Sequence, residues 1–321
     1  MNEVFDIELN SLQTRFADCV HATFFRRGDL LGVDVHNAHG AATVLLQGAQ
    51  LLEFTPHGED RVIWCSDAVA YKSGVPLRGG VPVCWPWFGP LENNTTAIQN
   101  QCVGPVDSAP QHGFVRTLDW DLVLVESLPD GGTAIELTLC DSFETQSMLA
   151  CAFELVMRFE IGGRLHLALT ARNTDTNSTM SFTSALHSYF AVSNINHSEV
   201  LGLDAMFYVD SLDDGAIKSQ QGAVGFDAEV DRIYFAQPDE GLTPLTIRTP
   251  ERDIIVESSG SDSAIVWNPW IEKSRGLSQF RDTDYQRMLC VESANAFQNV
   301  ISLPPGASHR LSVTVSTATR P

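Results

Sequence analysis

Phe153-Glu-Leu-Val-Met-Arg-Phe-Glu-Ile-Gly-Gly-Arg-Leu-His-Leu-Ala-Leu-Thr-Ala171 is the stretch that decides the fold class. Apolar and polar side chains alternate from Phe153 to Phe159, the period of a strand with one buried face. A second strand-like run covers residues 165–171, and Gly162-Gly163 between the two is a hairpin signal. The same pattern recurs outward from this point. Residues 42–47, 121–126, 134–140, 245–248, 254–257 and 311–315 read as strands, punctuated by Pro129-Asp-Gly-Gly132, Asp213-Asp-Gly215 and Pro304-Pro-Gly306. Helix signals are few and short, as around Asp282-Thr-Asp-Tyr-Gln286. No linker, repeat or low-complexity segment divides the chain. Strands spread evenly over 321 residues predict an all-β protein. The expected architecture is one large antiparallel sandwich over residues 1–321, with two β domains as the alternative.

Charge and cysteine usage narrow the class of partner. Acidic residues outnumber basic ones 40 to 20, a formal charge of −20. That balance argues against nucleic acid and against an anionic membrane surface. It also means that an anionic ligand must be held at short range by local arginines. No run approaches the roughly 20 apolar residues of a membrane span. The first twenty residues carry Glu3, Asp6, Glu8 and Asp18 and do not read as a secretory leader. Seven cysteines, an odd number without a C-x-x-C pair, predict reduced thiols in a cytoplasmic protein, neither a disulfide framework nor a zinc ribbon. No phosphate-binding glycine motif and no serine-hydrolase elbow occurs.

Gly74-Val-Pro-Leu-Arg78-Gly-Gly-Val-Pro-Val-Cys-Trp-Pro-Trp-Phe-Gly-Pro90 is the most distinctive segment. Gly79 and Gly80 would let the backbone approach a ligand closely, the prolines exclude a helix, and Trp85, Trp87 and Phe88 offer flat faces for a sugar ring. Arg78 here, and Arg116 in Gln111-His-Gly-Phe-Val-Arg116, are candidate anion ligands, because a guanidinium fork matches phosphate oxygens. Each also fits a surface or loop-stapling arginine. Gln111 and His112 could contact sugar hydroxyls or simply stabilise the turn before Gly113. His187 lies in Ser181-Phe-Thr-Ser-Ala-Leu-His-Ser-Tyr-Phe190, read as one strand whose alternation groups it with Thr183, Ala185 and Tyr189. It fits a cleft lining or a structural histidine. Glu292 in Arg287-Met-Leu-Cys-Val-Glu-Ser-Ala294 shares a face with Met288, Cys290 and Ala294. A carboxylate there is either desolvated and a stronger base, or turned to solvent at a sheet edge. Asp231 fits a hydroxyl acceptor or a partner of Arg232. Trp267-Asn-Pro-Trp270 reads as a packed aromatic corner, with a turn bordering a cleft as the alternative, and residues 91–110 as a polar loop that could cover a pocket.

Taken together, Arg78-Gly-Gly-Val-Pro with Trp85-Pro-Trp-Phe-Gly89, Gln111-His-Gly-Phe-Val-Arg116, His187-Ser-Tyr-Phe190, Val230-Asp-Arg-Ile-Tyr234, Trp267-Asn-Pro and Val291-Glu-Ser293 resemble the aldose 1-epimerase (galactose mutarotase-like) superfamily, and within it the hexose-6-phosphate mutarotase branch. The resemblance implies a β-supersandwich, no cofactor and no metal. It implies interconversion of the α and β anomers of a hexose 6-phosphate, glucose 6-phosphate first, by a monomer. It assigns His187 as catalytic acid, Glu292 as catalytic base, and Arg78, Gln111, Arg116 and Asp231 as substrate ligands, with His112 as a further sugar contact. The alternatives are a mutarotase of neutral aldoses, a carbohydrate-binding or sensor protein without catalysis, and a β-sandwich lyase.

Overall fold

The computed structural model describes residues 2–236 and 241–320. The hairpin expected around Gly162 is present. Strand Phe153–Ile161 pairs antiparallel with strand Leu165–Asn173. Phe153, Leu155, Met157, Phe159 and Ile161 are fully buried, and Glu154, Arg158 and Glu160 alternate with them on a partly solvated face. On that outer face Arg158 meets Glu126, Glu136 and Glu160, so the polar half of the alternation is charge-paired. One face in the core and one in water is the usual state of an antiparallel sheet.

This hairpin sits in an eight-stranded sheet ordered Glu199–Leu201, Leu245–Arg248, Arg252–Ser259, Ser308–Thr319, Leu165–Asn173, Phe153–Ile161, Thr133–Cys140, Asp121–Ser127. A second eight-stranded sheet runs Ala216–Ser219, Phe207–Asp210, Val230–Phe235, Ser263–Asn268, Met288–Asn295, Ser184–Leu186, Val83–Cys84, and Tyr189–Ala191 also pairs with Met288–Asn295. A four-stranded sheet, Ala22–Arg27 to Gln50–Pro56, joins it through bridges from Leu51 to Val81 and Phe54 to Ile63. The pairings within all these sheets are antiparallel. Buried apolar residues from Leu12 to Val315 form a continuous core cluster. Every residue of Met288–Asn295 is buried, so this strand is covered on both faces. No helix among the described residues is long and apolar enough to cross a membrane.

Four local expectations are corrected. The segment 181–190 is not one strand: it breaks into Met180–Phe182, Ser184–Leu186 and Tyr189–Ala191, leaving His187 and Ser188 between strands. Gly79 and Gly80 make room for the protein's own backbone, since a Cβ at Gly80 would lie 2.2 Å from the Leu51 carbonyl oxygen and one at Gly79 2.6 Å from Cys65 Cα. A 14-residue helix, Asn2–Arg15, precedes the first strand. Its acid-rich sequence gives almost no apolar stripe, and it is held by tertiary contact, Leu12 being buried in the core. The helix signal near Asp282 proves to be one turn of 3₁₀ helix, Asp284–Arg287.

Candidate active site

Strand register brings His187 and Glu292 together. Leu186 pairs with Ser293 and Tyr189 with Cys290, so the same register sets His187 opposite Glu292. The ladder is interrupted between these pairs: His187 donates its N–H to the Pro82 carbonyl and Tyr189 to that of Gly80. The Arg78-Gly-Gly-Val-Pro82 segment thus holds the break open from behind. Imidazole Nδ1 lies 3.3 Å from Glu292 Oε1, without the angles of a hydrogen bond. Glu292 is 1% exposed and His187 8%. His187 Nδ1 and Glu292 Oε2 are both buried with no hydrogen-bond partner, an expensive state that reactive groups commonly occupy. Burial, with Asp231 adding to it, pushes the Glu292 carboxyl well above the usual range. Burial, then His112, Arg78 and Arg116, push His187 well below the ordinary imidazole range. Both shifts favour the neutral form of the group.

The two arginine segments meet at the same cavity. Arg78 Nη1 donates a long, 3.5 Å hydrogen bond to the Tyr189 hydroxyl, and Arg116 Nη2 donates to the Gln111 carbonyl at 2.7 Å. Among the described residues neither has an ion-pair partner, so both retain donors for an anion. His112 has φ 62° and accepts a bond from the Gly89 N–H through Nδ1. Burial first, then Arg116 and Arg78, push its pKa down to about 3, so it is a neutral partner.

A cavity of about 270 Å³ is lined by Arg78, Gln111, His112, Arg116, His187, Asp231 and Glu292. All seven candidate residues thus reach one pocket. Lys273, Trp267 and Tyr189 add to its walls, and of these three the sequence had not singled out Lys273. Lys273 lies 2.8 Å from Glu229 and 3.6 Å from Asp231. It rides on the short helix Trp270–Gly276, which Asn268 anchors by accepting the Trp270 N–H and donating to the Tyr285 and Met288 carbonyls. Burial lowers the pKa of Lys273, but the ion pair with Glu229 and the charge of Asp231 prevail and raise it. The available signal was scarcity, since the chain has only three lysines. Trp267, read as a packed corner, lines the pocket edge-on to His187 at 6.1 Å. Tyr189 is the third.

The expected aromatic wall is smaller than its sequence suggests. Trp85 and Trp87 are buried against Phe114, and only Phe88 faces the cavity. Residues 91–110 do not line it; Leu91 and Ile98 are buried, and Asn94 ties the loop to Phe88, Pro90 and Thr183. A larger cleft of about 840 Å³ lies elsewhere, lined by Arg61, Arg252, Arg281 and Arg287 among acidic residues. Arg252 is bound to Glu59 and Arg281 to Asp67, which leaves that cleft largely self-neutralised. The unpaired acid–base groups sit in the smaller one. Donor atoms of His187, Cys290 and Glu292 also lie within 4.8 Å of one another, a trio of metal-ligand type. Burial holds the Cys290 thiol protonated, and Arg78 and Arg116 work against a cation there.

The family model for aldose 1-epimerase matches residues 33–316. A Salmonella typhimurium protein provisionally named glucose-6-phosphate 1-epimerase is 33% identical over 297 residues, 91% of each chain. One of the same provisional name from Cenchrus ciliaris is 31% identical over 283 residues, covering 86% of this chain and 80% of its own. The crystal structure of a Salmonella typhimurium protein (YeaD), provisionally described as a mutarotase, superposes with a TM-score of 0.82 at 29% identity, over 93% of this chain and 94% of its own. The expected supersandwich is therefore the observed fold, and the chain belongs to the aldose 1-epimerase family.

Proposed function

We propose that the protein interconverts the α and β anomers of a hexose 6-phosphate, glucose 6-phosphate foremost. The observation that carries this reading is an unbonded imidazole–carboxyl pair 3.3 Å apart in a pocket that also holds two arginines without ion-pair partners. The cavity lies just below the roughly 300–1,000 Å³ of drug-sized sites, which suits one monosaccharide and disfavours a polymer. The pocket's neutral-sugar contacts fall to Gln111, His112 and Asp231, and the phosphate to Arg78 and Arg116.

Ring opening breaks C1–O5 and makes C1=O1. Glu292 as carboxylate takes the O1 proton while His187 as imidazolium gives one to O5. Rotation about C1–C2 presents the other face of the aldehyde, and the reverse transfers close the ring. Burial favours the carboxylic acid and the neutral imidazole, the tautomer with the proton on the other partner. From that tautomer one proton passes from Glu292 to His187 before opening. A phosphate on Arg78 and Arg116 favours that transfer, because those two charges are among the causes that keep His187 neutral. Asp231 has the opposite effect on Glu292, and Lys273 tempers it by partly neutralising Asp231.

The reading places a monomer in the cytoplasm, with residues 1–321 as one domain. All seven cysteines are unpaired, as suits a reducing compartment. NMR magnetisation exchange between the anomers of glucose 6-phosphate tests the activity. The purified protein should accelerate exchange, and His187→Ala or Glu292→Gln should each lower the rate by about 10²–10⁴-fold. Arg78→Ala and Arg116→Ala should raise KM for the phosphate ester and leave free glucose unaffected. Absence of acceleration, or unchanged rates in the first two variants, overturns the mechanism.

A further inference from the structure

His187 lacks the usual means of fixing an imidazole. A catalytic histidine is normally oriented by a hydrogen bond from its second ring nitrogen. Here Nδ1 is buried without a hydrogen-bond partner, 3.3 Å from Glu292 Oε1. The ring's other described contacts are aromatic. Trp267 meets it edge-on at 6.1 Å and 83°, and His112 at 5.6 Å and 68°. Tyr189 lies parallel to it, with centroids 4.8 Å apart and planes within 8°.

Tyr189 is itself firmly placed. It is 2% exposed, stacks on Trp64 at 6.0 Å, and is met edge-on by Trp267. Its N–H is bonded to Gly80 and its carbonyl to the Trp64 N–H. The hydroxyl accepts from Arg78 Nη1 at 3.5 Å. One rigid ring therefore touches the candidate acid with its face and the candidate phosphate ligand with its hydroxyl.

We propose that Tyr189 is the positioning residue for both groups: its ring face orients the His187 imidazole and its hydroxyl aims Arg78 at the phosphate. The proposal rests on the roles given above to His187 and Arg78. The face of the ring sets the plane in which His187 meets O5. The hydroxyl supplies Arg78 with an acceptor that holds the guanidinium toward the pocket while it is empty. A phosphate then binds an arginine that is already aimed, and the same contact leaves the imidazole plane undisturbed. Contact geometry of this kind matters because a displacement of about 1 Å can cost roughly 10²-fold in rate.

Two variants separate the two contacts. Tyr189→Phe keeps the stack and removes the hydroxyl. It should raise KM for glucose 6-phosphate about three- to tenfold and lower kcat several-fold less than Tyr189→Leu does. Tyr189→Leu removes the stack and should lower kcat about tenfold or more on both sugars. The His187 ring protons, observed by NMR, should be shifted upfield by the tyrosine ring current in the wild type and in Tyr189→Phe, and should lose that shift in Tyr189→Leu. Equal losses of kcat in both variants would reduce Tyr189 to a folding role and overturn the proposal. So would wild-type kcat in Tyr189→Leu, an unchanged KM in Tyr189→Phe, or a His187 resonance that Tyr189→Leu does not move. A wild type without exchange activity would instead remove the functional reading, and the ring-current comparison would still decide the stack.

Discussion

Glu292 shows how one residue sets function against stability. Its carboxyl has a folded pKa well above 4.5, so folding is favoured by its proton. That contribution is complete below pH 4.5 and is lost as pH rises toward the folded value. His187 acts in the opposite direction. Its folded pKa lies below 6.5, so its contribution is present above pH 6.5 and is lost as pH falls. Between pH 4.5 and 6.5 the two slopes oppose each other; above 6.5 only the loss from Glu292 remains. Glu292→Gln, which cannot ionise, should therefore melt at a higher temperature than wild type at pH 8. The difference should shrink toward zero near pH 4. Calorimetry across that range checks the sign, and an advantage that grows on acidification would contradict it.

At the scale of elements, the pocket depends on backbone crossings that tolerate no side chain. Gly113 adopts φ 70° and bridges to Trp85, and an added Cβ would lie 1.9 Å from the Trp85 carbonyl oxygen. The crossing fixes the segment that carries Gln111, His112 and Arg116 against the core side of Trp85. Gly113→Ala should destabilise the protein by about 2 kcal/mol or more, through strain and the forced backbone shift. It should also raise KM for the phosphate ester, because Arg116 moves with the segment. Gly225→Ala is the control: it has open space and no left-handed backbone, and it should change stability by less than about 0.5 kcal/mol. Urea melts of the two variants make the comparison. Similar midpoints for both would show that the crossing can give way.

The whole molecule carries a formal charge of −20, and the phosphate ligands proposed for it are a pair of arginines. The long-range field repels a phosphate ester, while the arginines attract it over a few ångströms. Salt screens the first more than the second, because the Debye length falls from about 30 Å at 0.01 M to about 8 Å at 0.15 M. Raising ionic strength over this range with a weakly coordinating salt should increase kcat/KM for glucose 6-phosphate about two- to threefold and leave free glucose unaltered. A fall in kcat/KM would mean that the local clamp, not the global field, controls encounter.

Much of this was legible before folding. Period-two alternation at residues 153–159, with turn residues between such runs, specified strands, because a strand's two faces meet different solvents. The site residues were legible as types: a glutamate on an apolar strand face, and arginines in glycine-rich bends of a base-poor chain. Alternation could not show that Trp85 and Trp87 turn into the core while Trp267 turns to the pocket, since an aromatic ring suits either surface. It could not find the helix Asn2–Arg15, whose stability comes from docking, nor Lys273, whose meaning depends on Asp231 of the neighbouring strand. The sequence by itself determined the strand content and the chemical types available. Only the tertiary structure decided which of them meet, because strand register places His187 opposite Glu292 across more than a hundred residues of chain, and that register is a property of the assembled sheet.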